Sequence, residues 1–317
     1  MKTINKKTLF SAVAIFAVYG IVQGLIAFNA LSLFYVLTLV QTCIYIMLAV
    51  SLNLIVGFTG QLALGHAGFM AIGAYISAIV TMKFDGPLVL ALLAGALAAA
   101  VAGVIIGIPT LRLKGDYLAI ATLGLGEIVR VIWLNTDYVG GAAGMSVSRS
   151  INWTWAFFLM VITVLVIRNF IRSSPGRACI SVREDEIAAE AMGINSTKYK
   201  VIAFTMGSFF AGLAGGVYAN YMYTILPTTF GFLKSFDILV MVVLGGLGSI
   251  SGGVIGAIIM TIVSAALASF PEWRMVITAV LLIILMIFRP NGLLGNKELS
   301  LRVFQKKRGE NNGLAKN

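Results

Sequence analysis

"PLVLALLAGALAAAVAGVIIGIPT", residues 87–110, runs for 24 positions without a charged side chain. An α-helix rises about 1.5 Å per residue and the hydrocarbon of a bilayer needs about 20 apolar residues, so this stretch is long enough to cross one. Working outward, further candidates lie at 8–28, 33–56, 61–82, 117–135, 153–170 and 201–223. The apolar region 236–270 is too long for one span and is interrupted at "GGLGSISGG" (245–253), which predicts two shorter spans, and a last one covers 274–289. The expected fold is an all-α polytopic membrane protein of about ten transmembrane or partly broken helices, forming one domain over 1–317. Residues 8–28 are read as the first span, because the apolar stretch is too long for a signal-peptide core and no small-residue cleavage site follows it.

Composition agrees. Hydrophobic residues make up 59% of the chain and charged residues 11%, with a mean hydropathy of +0.98. A soluble domain carries about 25% charged residues. The net charge of +11 does not indicate nucleic acid, because the basic residues sit at the ends of apolar segments instead of along one amphipathic face. Placing the N-terminus in the cytoplasm puts Lys2, Lys6, Lys7, Arg112, Lys114, Arg168, Arg172, Arg177, Arg183, Lys198, Lys200 and the basic tail from Arg289 on that side. The other side receives Lys83, Arg149, Lys234 and Arg274. Both termini are therefore expected to be cytoplasmic, with a loop at about 171–200 and a basic tail at 290–317 on the same face. Cys43 and Cys179 have neither disulfide nor metal spacing and read as structural thiols.

Three segments differ from plain lipid-facing helices: "GFTGQLALGHAGFMAIGAY" (57–75), "GDYLAIATLGLGEIVR" (115–130) and "LGGLGSISGGVIGA" (244–257). Small residues let helices approach closely in lipid, which accounts for most of these glycines. A second reading makes Gly60 and Gly68, and Gly245, Gly246 and Gly248, parts of broken helices around a transport path. Glu127 and Arg130 lie three apart on one helix face in an apolar span. A lone charge there would cost about 3 kcal/mol or more, so they are either a self-neutralised pair or the wall of a water-filled cavity where a zwitterion meets both signs. His66 is the one histidine and has no carboxylate nearby in sequence, a poor proton relay; with Gln61 and Asn53 it fits hydrogen bonding to the backbone of a broken helix. Asp237 reads as a helix-start charge.

No phosphate loop, H-E-x-x-H, Cys/His cluster or serine elbow occurs, so the chain is expected to have no catalytic residues, no metal and no cofactor of its own. The acids are concentrated elsewhere: Glu184, Asp185, Glu186 and Glu190 fall within "REDEIAAEAMGI" (183–194). Ser181 and Glu184 fit a capping box, the acids suit the positive end of a helix, Ile187, Ala188, Ala191 and Met192 form a stripe at helical spacing, and Gly193 terminates it. The expectation is one short self-capped helix over 182–192. Glu186 and Glu190 are like charges at i,i+4, and the stripe is built of small side chains, which favours a docking element over a free helix.

From about residue 45 onward the chain resembles the permease subunits of bacterial ATP-binding-cassette importers for branched-chain amino acids, of the LivM type. The resemblance rests on "SLNLIVGFTGQLALGHAGFMAIGAY", "LRLKGDYLAIATLGLGEIVR", "SPGRACISVREDEIAAEAMGI", "AFTMGSFFAGLAGGVYA", "MVVLGGLGSISGGVIGA" and "FRPNGLLG", in that order. It implies that Arg183, Glu184, Asp185, Glu186, Ala188, Ala189, Glu190, Ala191 and Gly193 belong to a coupling helix seated on an ATPase subunit. It further implies a homologous LivH-type permease, two ATP-binding subunits that hold the ATP and magnesium, an extracytoplasmic substrate-binding protein, and a place in the bacterial inner membrane with no nucleic-acid partner. Gly60, Gln61, His66, Gly68, Glu127, Arg130, Gly245, Gly246 and Gly248 are the candidate translocation path. The chain has "GGAAG" (140–144) where the family commonly has "GGPNG", and "RPNG" (289–292) for the more usual "RPQG". A urea or short-amide permease of the same family, a proton-driven carrier using Glu127 and His66, and a non-transporting scaffold are the alternatives.

Overall fold

The computed structural model describes residues 6–270 apart from 29, 112 and 114, with scattered positions between 273 and 295. The expected span 274–289 falls largely outside the described residues, as do Lys2, Arg112, Lys114, Arg274 and the tail beyond Gly295. The described elements are overwhelmingly helical: α1 (Lys6–Ala27), α2 (Leu33–Thr59), α3 (His66–Lys83), α4 (Leu88–Thr110), α5 (Asp116–Leu134), α6 (Trp153–Arg172), α7 (Ser174–Glu184), α8 (Glu186–Ala191), α9 (Ser196–Tyr221), α10 (Phe232–Gly245) and α11 (Ile250–Ala266). One antiparallel pair of two-residue strands, Met145–Ser146 with Thr224–Ile225, ties two loops together. Among the described residues five helices, α2, α4, α5, α6 and α9, are long and apolar enough to cross a membrane.

The centre of the bundle is α2, buried without interruption from Cys43 to Thr59. Against it pack α9, α11 and α6; α9 in turn packs on α3 and α4, and the contacts among these last three depend on missing side chains. A Cβ on Gly73 would stand 2.0 Å from the carbonyl oxygen of Gly212, and one on Gly95 would stand 2.5 Å from that of Gly73. Lipid tails offer no hydrophobic drive for helix association, so backbone-to-backbone contact supplies the van der Waals energy instead. Buried polar groups are paired across the same seam: Asn220 Nδ2 donates to Ser77 Oγ at 2.8 Å. By contrast α5 is peripheral, with three buried residues along its length.

Two ends of the bundle can be distinguished. Arg149 stacks over Tyr221 at the C-terminal end of α9, and Lys83 over Tyr138 at the end of α3. Lys234 lies in the first turn of α10, the end remote from Gly245. Arg183 and Lys200 lie at the opposite end, beside the start of α9. These five basic residues thus fall at two ends, grouped as in the sequence pattern.

One expected helix boundary differs. The span predicted from 61 becomes helical at His66, because Gly60 at φ 70° ends α2 and residues 60–65 run without helical hydrogen bonds.

Candidate coupling and translocation site

The acidic stretch folds as two helices, not one. The chain is extended at Asp185 (φ −157°, ψ 110°), whose Oδ1 accepts from the amides of Ile187 at 2.9 Å and Ala188 at 3.0 Å. Asp185 is therefore the N-cap of α8, and the capping box expected from Ser181 and Glu184 does not form. Ser181 sits inside α7, where its hydroxyl donates back to the Ala178 carbonyl at 2.8 Å. A carboxylate is a strong cap, and its position three residues before Ala188 places the break there. Gly193, at φ 83°, ends the segment as expected.

The acids of α8 are internally paired. Glu186 accepts from Lys200 Nζ at 2.6 Å, and Glu190 accepts a short hydrogen bond from Ser196 Oγ. Both partners belong to the first turn and a half of α9, so the i,i+4 repulsion is relieved by two tethers to a membrane helix. What faces solvent is the apolar stripe: Ile187 is 80% and Met192 83% exposed, while Ala189 is buried beneath them. An apolar patch turned away from the protein is the signature of a surface that another body covers.

Arg183, at the end of α7, reaches in the other direction. Its Nε donates to Glu184 at 3.0 Å and its Nη1 donates to the Gly57 carbonyl at 2.8 Å. The side chain lies flat over Gly60, where a Cβ would come within 3.1 Å of Arg183 Cγ, and against Gly248, where one would come within 2.6 Å of Nη1. Both glycines have positive φ, 70° and 77°. They occupy the two helix breaks: Gly60 closes α2, and Gly246–Gly248 separates α10 from α11.

Asn53 joins those breaks from within. Wholly buried on α2, it donates Nδ2 to the Ser249 carbonyl at 2.7 Å and accepts from the Gly248 amide at 2.9 Å. Ser249 in turn caps α11 through the Gly252 amide at 3.1 Å. Leu293 and Leu294, beyond the last expected span, donate their amides to the carbonyls of Leu244 and Gly245 at 3.0 and 3.2 Å, which satisfies the C-terminal end of α10. A cavity of about 370 Å³ lies beside this junction, bounded by Gln61, Leu118, Arg183, Glu186 and Lys200. Gln61 is 3% exposed, and among the described residues neither polar atom of its carboxamide has a partner.

His66 is buried, one ring nitrogen sharing a 2.9 Å hydrogen bond with Ser51 Oγ. Gly68 lets α3 meet α5, its added Cβ falling 2.9 Å from the Gly126 Cα. Glu127 and Arg130 are remote from the junction. Glu127 Oε2 accepts from Arg130 Nε at 2.6 Å, and its Oε1 accepts from the amide of Phe232, the first residue of α10, at 2.8 Å. The pair is thus self-neutralised, Glu127 also binds the first amide of α10, and both side chains line a second cavity. That cavity, about 540 Å³, also contains Tyr45, Lys234 and Asp237. Sequence reasoning missed Lys234 and Tyr45 as partners, which meet at 2.8 Å from helices 189 positions apart.

A family model described as the permease component of branched-chain amino acid transport systems matches residues 34–286, which takes in both breaks, both cavities and α8. The chain belongs to this permease family. Over 290 residues it is 37% identical to the high-affinity branched-chain amino acid transport system permease protein LivM of Salmonella typhimurium, covering 80% of this chain and 68% of that one. It is equally similar to LivM of Escherichia coli, with the same coverage. The E. coli permease LivH is 27% identical over 289 residues, covering 80% of this chain and 92% of its own. No solved structure matches the chain. Membership makes this a multi-pass membrane permease, in accord with its five long apolar helices.

Proposed function

We propose that the chain is a permease subunit of an ATP-binding-cassette importer that carries branched-chain amino acids across the bacterial inner membrane. The assembly pairs it with a homologous LivH-type permease, two ATP-binding subunits and an extracytoplasmic substrate-binding protein. The nucleotide and magnesium sit on the ATPases. In this reading α7 and α8 face the cytoplasm with both termini. Helices α1, α3, α10 and α11, and the segment 274–289, complete about ten whole or broken crossings.

The observation that carries the proposal is the double attachment of α8. Its apolar face is turned out, while Glu186 and Glu190 bind it to α9 and Arg183 binds the adjoining turn to both glycine breaks. An ATPase groove that closes on Ile187 and Met192 would displace α8, and rigid tethers would pass that displacement to α9 and to the junction. Helices packed this tightly move as discrete bodies, so a shift at α8 becomes a change in access. Gly60, Gln61, Gly245, Gly246 and Gly248 form the moving cytoplasmic end of the path. His66 and Gly68 lie one turn further in, and Glu127 and Arg130 flank its outer mouth.

The test is uptake of labelled leucine by vesicles containing the complete complex, with and without ATP. ATP-dependent uptake supports the proposal. Uptake driven by a pH gradient through this chain alone would replace it with a secondary carrier, and urea uptake without leucine uptake would replace the substrate.

A further inference from the structure

The wall of the cavity at the outer end carries four charged side chains, two from each of two helices. Helix α5 contributes Glu127 and Arg130, and the first half of α10 contributes Lys234 and Asp237. The four formal charges sum to zero. Such a wall does not attract a free anion or cation strongly, but it offers separated charges of both signs to a molecule that is itself neutral and dipolar.

The fork of Arg130 is the directed element. Its Nε is held by Glu127, and Glu127 is fixed in turn by the Phe232 amide. Among the described residues the two terminal guanidinium nitrogens make no hydrogen bond, and the side chain is 26% exposed. A guanidinium presents paired donors that match a carboxylate bidentately, and here its orientation is set before a ligand arrives. Lys234 is engaged differently, donating to Tyr45 Oη while lying 4.2 Å above the Tyr45 ring. Leu233, Phe232 and Met222 supply apolar wall. The volume of about 540 Å³ is within the range for small-ligand sites.

We infer that this cavity receives the transported amino acid as a zwitterion, with its carboxylate on the terminal nitrogens of Arg130 and its ammonium toward the carboxylates of Glu127 and Asp237. The inference rests on the proposed function and narrows it, because a neutral amide such as urea has no carboxylate to form the charge-assisted bidentate pair with the Arg130 fork. Glu127 attenuates the field of Arg130, so the site binds weakly enough to release what it accepts, as a transport path requires.

The experiment uses the whole complex without its binding protein, so that only the permease site is read. Thr228 lines the cavity and is exposed, whereas Cys43 and Cys179 are buried. In a Thr228→Cys variant the rate of modification by a charged methanethiosulfonate is measured alone, with L-leucine and with L-leucinamide. Leucine at about four times its Kd is expected to slow modification about fivefold by mass action. Leucinamide should not protect, and Arg130→Gln should abolish protection by leucine. Arg130→Lys, which keeps the charge and fold but loses the fork, should reduce protection without restoring it to the original level. Equal protection by leucinamide, or protection that survives Arg130→Gln, overturns the inference. Leucine uptake by the complete Thr228→Cys complex is the control: uptake without leucine protection defeats the inference alone, and absence of uptake in the unmodified complex defeats the proposed function.

Discussion

Arg183 donates its Nη1 hydrogen to the carbonyl of Gly57 across 2.8 Å and 126 positions of sequence. Through that bond the turn preceding α8 grips the last turn of α2. The bond is made to backbone, so only the arginine can be changed to remove it.

The first prediction concerns that bond. Arg183→Gln should leave the subunit inserted and the ATPases bound, yet lower ATP-driven leucine uptake about tenfold, within the usual range of a coupling energy between sites. ATP hydrolysis should continue, so the ratio of leucine transported to ATP consumed is the quantity to measure. An unchanged ratio would show that Arg183 transmits nothing.

The exposed stripe gives a second. Ile187→Asp and Met192→Asp alter side chains that touch little of this chain, so folding and insertion should be unaffected. Each should reduce co-purification of the ATP-binding subunits, because a charge buried in an apolar groove without a partner is costly. Normal recovery of ATPases with both variants would move the docking surface elsewhere.

Asn53 supplies a third. Asn53→Leu keeps approximate size but strands the Gly248 amide and the Ser249 carbonyl in a buried place. Leaving a buried group unsatisfied costs about 1–3 kcal/mol, which a thermal melt of the detergent-solubilised subunit should detect. Melting at the native temperature would mean that water or another side chain takes over both bonds.

The glycine seam gives a fourth. In Gly73→Val the first added carbon would meet the Gly212 carbonyl oxygen at 2.0 Å, with backbone on both sides and no flexible side chain to yield. Overpacking of this kind costs about 1–3 kcal/mol even where side chains can shift, so expression of folded protein should collapse. Gly124→Val, where no atom lies within 4 Å, is the matched control and should be tolerated.

Cys179 gives a pH-dependent fifth. Burial pushes its thiol up to about 11, while Sγ lies 3.6 Å from the Tyr199 carbonyl. The thiolate is the reactive form, so maleimide labelling should be negligible at neutral pH and rise only in strongly alkaline buffer. The folded state favours the protonated thiol, so this group's contribution to stability is complete below about 8.5 and is lost as pH rises through about 11. Rapid labelling at neutral pH would contradict the burial.

Much of the membrane architecture was legible because apolar runs report on lipid directly: α2, α4, α5, α6 and α9 lie where the hydropathy places them. The breaks were legible as glycine clusters, though the helical restart at His66 instead of Gln61 depends on Gly60 adopting a left-handed turn. The coupling segment was harder. Ser181 and Asp185 are both good caps, and local pattern cannot choose between them; the choice falls to Asp185, while Ser181 is absorbed into α7. The stripe of Ile187, Ala188, Ala191 and Met192 has helical spacing, but spacing does not say whether a face points in or out. The partners of Arg183, Asn53 and Lys234 come from distant segments, and one sequence without its fold contains no record of which distant residues meet.

The contact of Gly73 with Gly95 and Gly212 has a mechanical consequence. Three helices welded at the backbone have almost no compliance, so they cannot share in any bending between inward and outward access. In the proposed transport cycle, deformation would then concentrate in the slack parts of the chain, at Gly60 and at Gly246–Gly248, the two breaks against which Arg183 lies. In that cycle the permease would work as a stiff frame with two hinges and a single hand on both.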